Sequence, residues 1–206
     1  MLVRSTGNYH LITNSEWTTI GRDIESVNFN WNSTIVGSGF VFLGNYDGSA
    51  QSNASLDDAD GYYGTGDNLT NCDGMFSSFP NDNVGSMACA GQRRTLKLSN
   101  NNIIWDFTGN TREWNNDTCD TSLWFNSGAF IPWTTVDLLD YEKNMSGSLN
   151  NYNSNNGFGN YYGCTLTGNP FIRSADDGSN GGLFYVKLNL DGSARTNVGF
   201  RCAYTP

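Results

Sequence analysis

The alternation of apolar and polar positions along the chain predicts a few well-separated elements. Trp17, Ile20, Ile24 and Val27 recur at helical spacing, so a helix is expected from about 14 to 28. Thr13 and Glu16 form a capping-box pair at its start, with the Thr13 hydroxyl as N-cap and the Glu16 side chain reaching back. Further on, Leu96 and Leu98 alternate with Thr95, Lys97 and Ser99. Asn100-Asn101-Asn102 supplies a turn and Ile103-Ile104-Trp105 returns, which is a hairpin pattern. From Leu183 to Leu190, the residues Phe184, Val186, Leu188 and Leu190 fall on one face and Tyr185, Lys187 and Asn189 on the other. A period of two predicts a half-buried strand, with Tyr185, Lys187 and Asn189 outward. After a turn at Asp191-Gly192, Val198, Phe200 and Cys202 resume the alternation. Between these elements, 44–92 is rich in Gly, Asn and Asp and too irregular for a helix. The segment 146–163, dominated by Ser, Asn, Gly and Tyr, reads as an exposed loop.

Composition narrows the fold class. The 206 residues include 29 Asn and 24 Gly, types that tolerate turn and left-handed backbone. Aromatics nevertheless reach 14%, too many for a disordered chain. The expectation is a loop-rich α+β domain with one or two helices and short antiparallel strands, its apolar burial resting largely on Trp, Phe and Tyr. No Pro-rich linker or charge block divides the chain, so residues 1–206 read as a single domain.

Charge and cysteine usage narrow the function classes. A net charge of −9 and a pI near 4.3 oppose binding to a nucleic-acid backbone. No apolar run approaches the ~20 residues needed to insert across a bilayer. The opening MLVRSTGNYH has no signal-peptide character, which fits an excised module of a surface protein. The five cysteines lack CxxC spacing and so argue against a zinc site. Cys72 with Cys89, and Cys119 with Cys164, are candidate disulfides, with free buried thiols as the alternative. The sole histidine, His10, reads as a surface or structural residue. Asp57, Asp58, Asp60 and Asp67 read as solvated side chains rather than a glycosidase-like pair.

Four segments, in order, resemble the formylglycine-generating-enzyme (sulfatase-modifying factor) family. Leu11-Ile12-Thr13-Asn14-Ser15-Glu16-Trp17 looks like its LPTEAEW helix start, and Asp106 through Trp114 (DFTGNTREW) like its D-x-x-GNVWEW signature. Phe171 through Gly182 sits where the family has RGGSW and a polar loop. Val198 through Ala203 (VGFRCA) matches its closing motif. The resemblance implies a C-type-lectin-like fold of that subtype. It does not carry the activity across. Enzymes of that family oxidise a substrate cysteine with two copper-binding cysteines just after RGGS, and Ser174 through Asn180 holds none. A cuprous ion needs thiolate ligands, so the chain is expected not to be an enzyme. A rearranged oxidase would require Cys164 and Cys202 to meet.

A narrower resemblance is to the variable proteins of diversity-generating retroelements. These share that fold and end in RGGSWNNGSNAGVFALNL, a polar turn and NIGFR. Phe171 to Arg201 is similar to a diversified copy, which makes approximately 171–201 the variable region. The resemblance implies a ligand-binding surface at Arg173, Asp176, Asp177, Tyr185, Lys187, Asn189, Ser193, Arg195, Thr196 and Asn197. The implied role is receptor or target recognition on a virion or cell surface, with a protein or glycan as partner. A lectin-like domain with a fixed glycan ligand, contacted through loop 150–160, is the alternative. No cofactor is required. The enzyme family also implies a structural calcium, at Asp106, Gly109, Thr111 and Glu113, whose carboxylates and carbonyls suit a hard cation. The alternative there is that Asp106 and Glu113 hydrogen-bond to brace the turn, with Trp105 and Trp114 buried beneath.

Overall fold

The structure, a computed structural model, describes residues 8–31, 33–42, 95–109, 111–123, 128–133, 156–174, 180–195 and 198–204. Within them the chain is mixed α/β, with one α-helix and ten short strands. No helix of the described residues is long and apolar enough to cross a membrane.

Helix α1 (Asn14–Ser26) starts where its capping box predicts. The Thr13 hydroxyl accepts from the Glu16 amide at 3.2 Å, and Glu16 Oε2 accepts from the Thr13 amide at 2.9 Å. Two otherwise orphaned donors of the first turn are thereby satisfied. Trp17, Gly21 and Ile24 form the inward face. Gly21 matters there, because a Cβ would sit 2.9 Å from the Phe184 ring. The helix ends at Val27, whose backbone is extended. Buried Asn30 closes that end by donating from Nδ2 to the carbonyls of Ile24 and Lys97 and accepting the Lys97 amide. One side chain thus joins the helix terminus to the hairpin.

That hairpin is as the sequence predicts. Strands β2 (Thr95–Lys97) and β3 (Ile103–Trp105) pair antiparallel, with Leu96 opposite Ile104. A second two-stranded sheet pairs β1 (Tyr9–Leu11) with β10 (Cys202–Tyr204). The remaining strands are β4 (Arg112–Thr118), β5 (Phe130–Ile131), β6 (Tyr161–Tyr162), β7 (Pro170–Ser174), β8 (Val186–Lys187) and β9 (Val198–Phe200). They form one six-stranded sheet in the order β5-β6-β8-β7-β4-β9. It is mixed rather than antiparallel, since β4 with β9 and β6 with β8 run parallel.

The core is aromatic, as the composition predicts. Trp17 stacks on Phe107 with ring centroids 4.1 Å apart, Phe158 stacks on Phe184 at 5.5 Å, and Trp133 meets Tyr161 at 5.2 Å. Each such pair adds to area burial about 0.5–1.5 kcal/mol. Cys119 and Cys164 form a disulfide across this core, whereas Cys72 and Cys89 lie outside the described residues.

Three sequence expectations are corrected. Residues 156–163 are not an exposed loop: Phe158 and Tyr161 are fully buried, and Tyr161–Tyr162 is a strand in the middle of the sheet. Trp105 is exposed and Trp114 half-buried, so neither lies buried beneath the Asp106–Glu113 turn. In the closing segment, Phe200 and Cys202 face outward and Arg201 turns in.

Candidate ligand-binding surface

The segment 180–195 divides sharply. Leu183, Phe184, Tyr185 and Val186 are all buried, because two different neighbours cover the two sides of this stretch. On one side the backbone of 157–160 runs alongside. The Leu183 amide donates to the Gly157 carbonyl at 2.9 Å and the Phe184 amide to the Phe158 carbonyl at 2.8 Å. On the other lies helix α1, whose Trp17 Nε1 donates to the Leu183 carbonyl at 3.0 Å. Close approach on the first side needs glycine. A Cβ on Gly182 would lie 2.2 Å from the Gly159 amide nitrogen, and one on Gly159 would lie 2.8 Å from Cβ of Tyr185.

Tyr185 is therefore a correction. Its side chain is inside, its ring centroid 5.7 Å from that of Phe130, not on the outer face that the period of two predicts. Arg173 is another. It is fully buried in β7, with Nε on Asn14 Oδ1 at 3.0 Å, Nη2 on that same oxygen, and Nη1 on the carbonyls of Phe184 and Tyr185 at 3.1 and 3.3 Å. It braces the frame and is shielded from any partner.

Further along, the chain comes to the surface. Lys187 and Asn189 are half-buried, and residues 191–195 are all exposed. The Lys187 ammonium lies 5.4 Å from the centroid of the Phe130 ring, within cation–π range. Phe130 in turn meets Tyr162 edge to face at 5.1 Å, and Tyr162 sits opposite Lys187 in the sheet. Ser193 and Arg195 stand on a turn organised by Asp191, whose carboxylate accepts from the Ser193 amide at 3.4 Å and from Arg195 at 3.0 Å. Hydrogen bonding from the Ser193 side chain, then from its amide and from Arg195, holds the Asp191 carboxyl below its ordinary value. Asp176, Asp177, Thr196 and Asn197 lie outside the described residues. Phe130 and Tyr162, which the sequence pattern does not single out, flank Lys187 because β6 pairs with β8 and β5 in turn pairs with β6. No local pattern signals that pairing.

At the implied calcium site, Glu113 and the Asp106 carbonyl are engaged by Arg201. Both oxygens of the buried Glu113 carboxylate accept from Arg201, Oε1 from Nη2 at 2.8 Å and Oε2 from Nε at 3.1 Å. The Asp106 carbonyl accepts from Arg201 Nη2 at 3.0 Å. The Gly109 carbonyl accepts from the Thr111 amide at 3.0 Å and from Ser174 Oγ at 3.1 Å. Burial pushes the Glu113 carboxyl above its ordinary value. The Arg201 guanidinium pulls it back, and the Asp106 charge adds to the rise. A hard cation would have to displace the Arg201 guanidinium from the Glu113 carboxylate, so Glu113 as it stands does not fit a calcium ligand.

Chemistry elsewhere is equally constrained. Cys164 is bonded to Cys119 and Cys202 is a free, exposed thiol, so the Cys164–Cys202 pair needed by a rearranged oxidase is not formed. His10 donates to the Glu16 carboxylate at 2.8 Å, as a structural residue would. Asp57, Asp58, Asp60 and Asp67 lie outside the described residues. No family model, curated protein or solved structure matches the chain.

Proposed function

We propose that this chain is a ligand-binding domain with a C-type-lectin-like fold, and that a retroelement diversifies its C-terminal surface. The observation that carries this reading is the change within thirteen residues from a buried stretch, 183–186, to an exposed turn, 191–195. A rigid frame carrying replaceable exposed positions is what a diversified binding surface needs, because substitutions on the turn leave packing untouched. Further support is that the two most specific motif segments, 106–114 and 198–203, come together. They pair as β4 and β9, and Arg201 meets Glu113 across them.

On this reading the variable contacts are Lys187, Asn189, Ser193 and Arg195, joined by Asp176, Asp177, Thr196 and Asn197. Arg173 and Tyr185 belong to the frame. The partner is a protein or glycan target met at a virion or cell surface, and the chain performs no catalysis. An excess of 20 acidic over 11 basic side chains disfavours nucleic acid as that partner.

The test is to sequence the locus in related isolates and look for a near-copy of codons 171–201. A copy differing mainly at adenines is expected, with variation at 187, 189, 193 and 195 and with Arg retained at 173. A uniform locus without such a copy, or variation as free at 173 as at 193, would defeat the proposal.

A further inference from the structure

We infer that Arg201 is the resident cation of the Asp106–Glu113 turn, so that this chain folds without calcium there. The inference stands on hydrogen bonds and is independent of the ligand-binding reading.

The turn has a physical problem to solve. It brings the Asp106 carbonyl and the Glu113 carboxylate to one place, and Glu113 is 6% exposed. A buried carboxylate without a countercharge is strongly disfavoured. Divalent cations solve this by gathering oxygens from several residues. A guanidinium solves it with five N–H donors in a fixed plane. Arg201 uses four of these donors: Nε and Nη2 form the fork on Glu113, Nη2 also reaches the Asp106 carbonyl, and Nη1 donates to the Trp105 carbonyl at 3.2 Å. Its cationic face lies over the Phe107 ring, 5.6 Å from the centroid. Four acceptor oxygens from three residues thus converge on one side chain. Of the two implied ligand carbonyls, that of Gly109 accepts from the Thr111 amide and Ser174.

The strand geometry commits Arg201 to this role. It lies between β9 and β10, where the chain passes from the six-stranded sheet to the sheet with β1. Its own carbonyl accepts from the Ile12 amide at 3.0 Å. The guanidinium therefore joins the turn, the sheet edge and the N-terminal ribbon.

Two measurements test the inference. The first is the thermal midpoint of the intact chain in EDTA and in millimolar calcium, together with sensitised terbium emission from the neighbouring tryptophans. Expected are equal midpoints and no terbium emission that depends on Glu113. A midpoint raised by calcium, or emission abolished by Glu113→Gln, would overturn the inference. The second is Arg201→Met, expected to lower the midpoint by about 5 °C or more, with Arg201→Lys losing less. An unchanged midpoint in the methionine variant would equally overturn it. Should that variant not accumulate folded, the lysine variant is read by urea denaturation, where a midpoint equal to that of the parent has the same meaning.

Discussion

Arg173 and Asn14 meet 159 positions apart, with Nε and Nη2 of the arginine both on the asparagine Oδ1. Asn14 is the first residue of helix α1, and Arg173 stands in β7 with Nη1 on the carbonyls of Phe184 and Tyr185. One buried guanidinium therefore ties the helix, the sheet and the start of the surface-bearing segment together. Arg173→Met leaves several buried acceptors without their donor. It is expected to cost about 3–5 kcal/mol in urea-induced unfolding. A loss below about 1 kcal/mol would show that the frame does not depend on it.

The exposed turn and the half-buried Lys187 should behave in the opposite way. Lys187→Gln, Ser193→Ala and Arg195→Ser combined are expected to leave the thermal midpoint within a few degrees, at roughly 0.5 kcal/mol or less per site. Collapse of the fold in this triple variant would mean that these side chains hold structure. The contrast with Arg173 is the sharper measurement, because both variants alter residues of the same implied variable region.

Gly182 is where backbone meets backbone. Its φ is +152°, and an added Cβ would lie 2.2 Å from the Gly159 nitrogen and 2.5 Å from the Phe158 carbonyl carbon. Gly182→Ala is expected to lose more than about 4 kcal/mol, since no side-chain adjustment relieves a clash with main chain. Circular dichroism of the purified variant checks this, and a native-like melting curve would refute it.

His10 and Glu16 predict the pH dependence of the N-terminal clamp. The hydrogen bond to Glu16 raises the His10 pKa above its ordinary 6.5. The Glu16 carboxyl, opposed by burial, is held below its ordinary 4.5 by Thr13 and His10. A raised histidine contributes stability fully present below 6.5 and lost as pH climbs through the higher folded value. A lowered carboxyl contributes stability present above 4.5 and lost as pH falls through the lower folded value. The pair therefore contributes most between about 4.5 and 6.5. The difference in stability between the parent and His10→Gln should be greatest in that window. A difference that grew steadily toward pH 9 would contradict the geometry.

Some of this molecule is legible in residue order alone. Thr13 and Glu16 are three apart and Trp17, Ile20 and Ile24 follow at helical spacing, so both the start and the inner face of α1 are local facts. The β2–β3 hairpin is likewise local, with its turn residues between its strands. The Cys119–Cys164 bond is not legible in this way, because a separation of 45 positions says nothing about which thiols meet.

What residue order could not supply is coverage. Alternation from Phe184 to Leu190 tells which side chains share a face, but not how many faces are covered. Here the Phe130 ring packs on Tyr185, which is buried although its period-two partner Lys187 is partly exposed. The same reason inverted the end of the chain. Glu113, 88 positions earlier, draws Arg201 inward, and a period of two then turns the apolar Phe200 and Cys202 out. Local spacing sets which residues form helix and strand. Which of their faces meets water is decided by contacts between segments far apart in the chain, such as the Arg201–Glu113 pair.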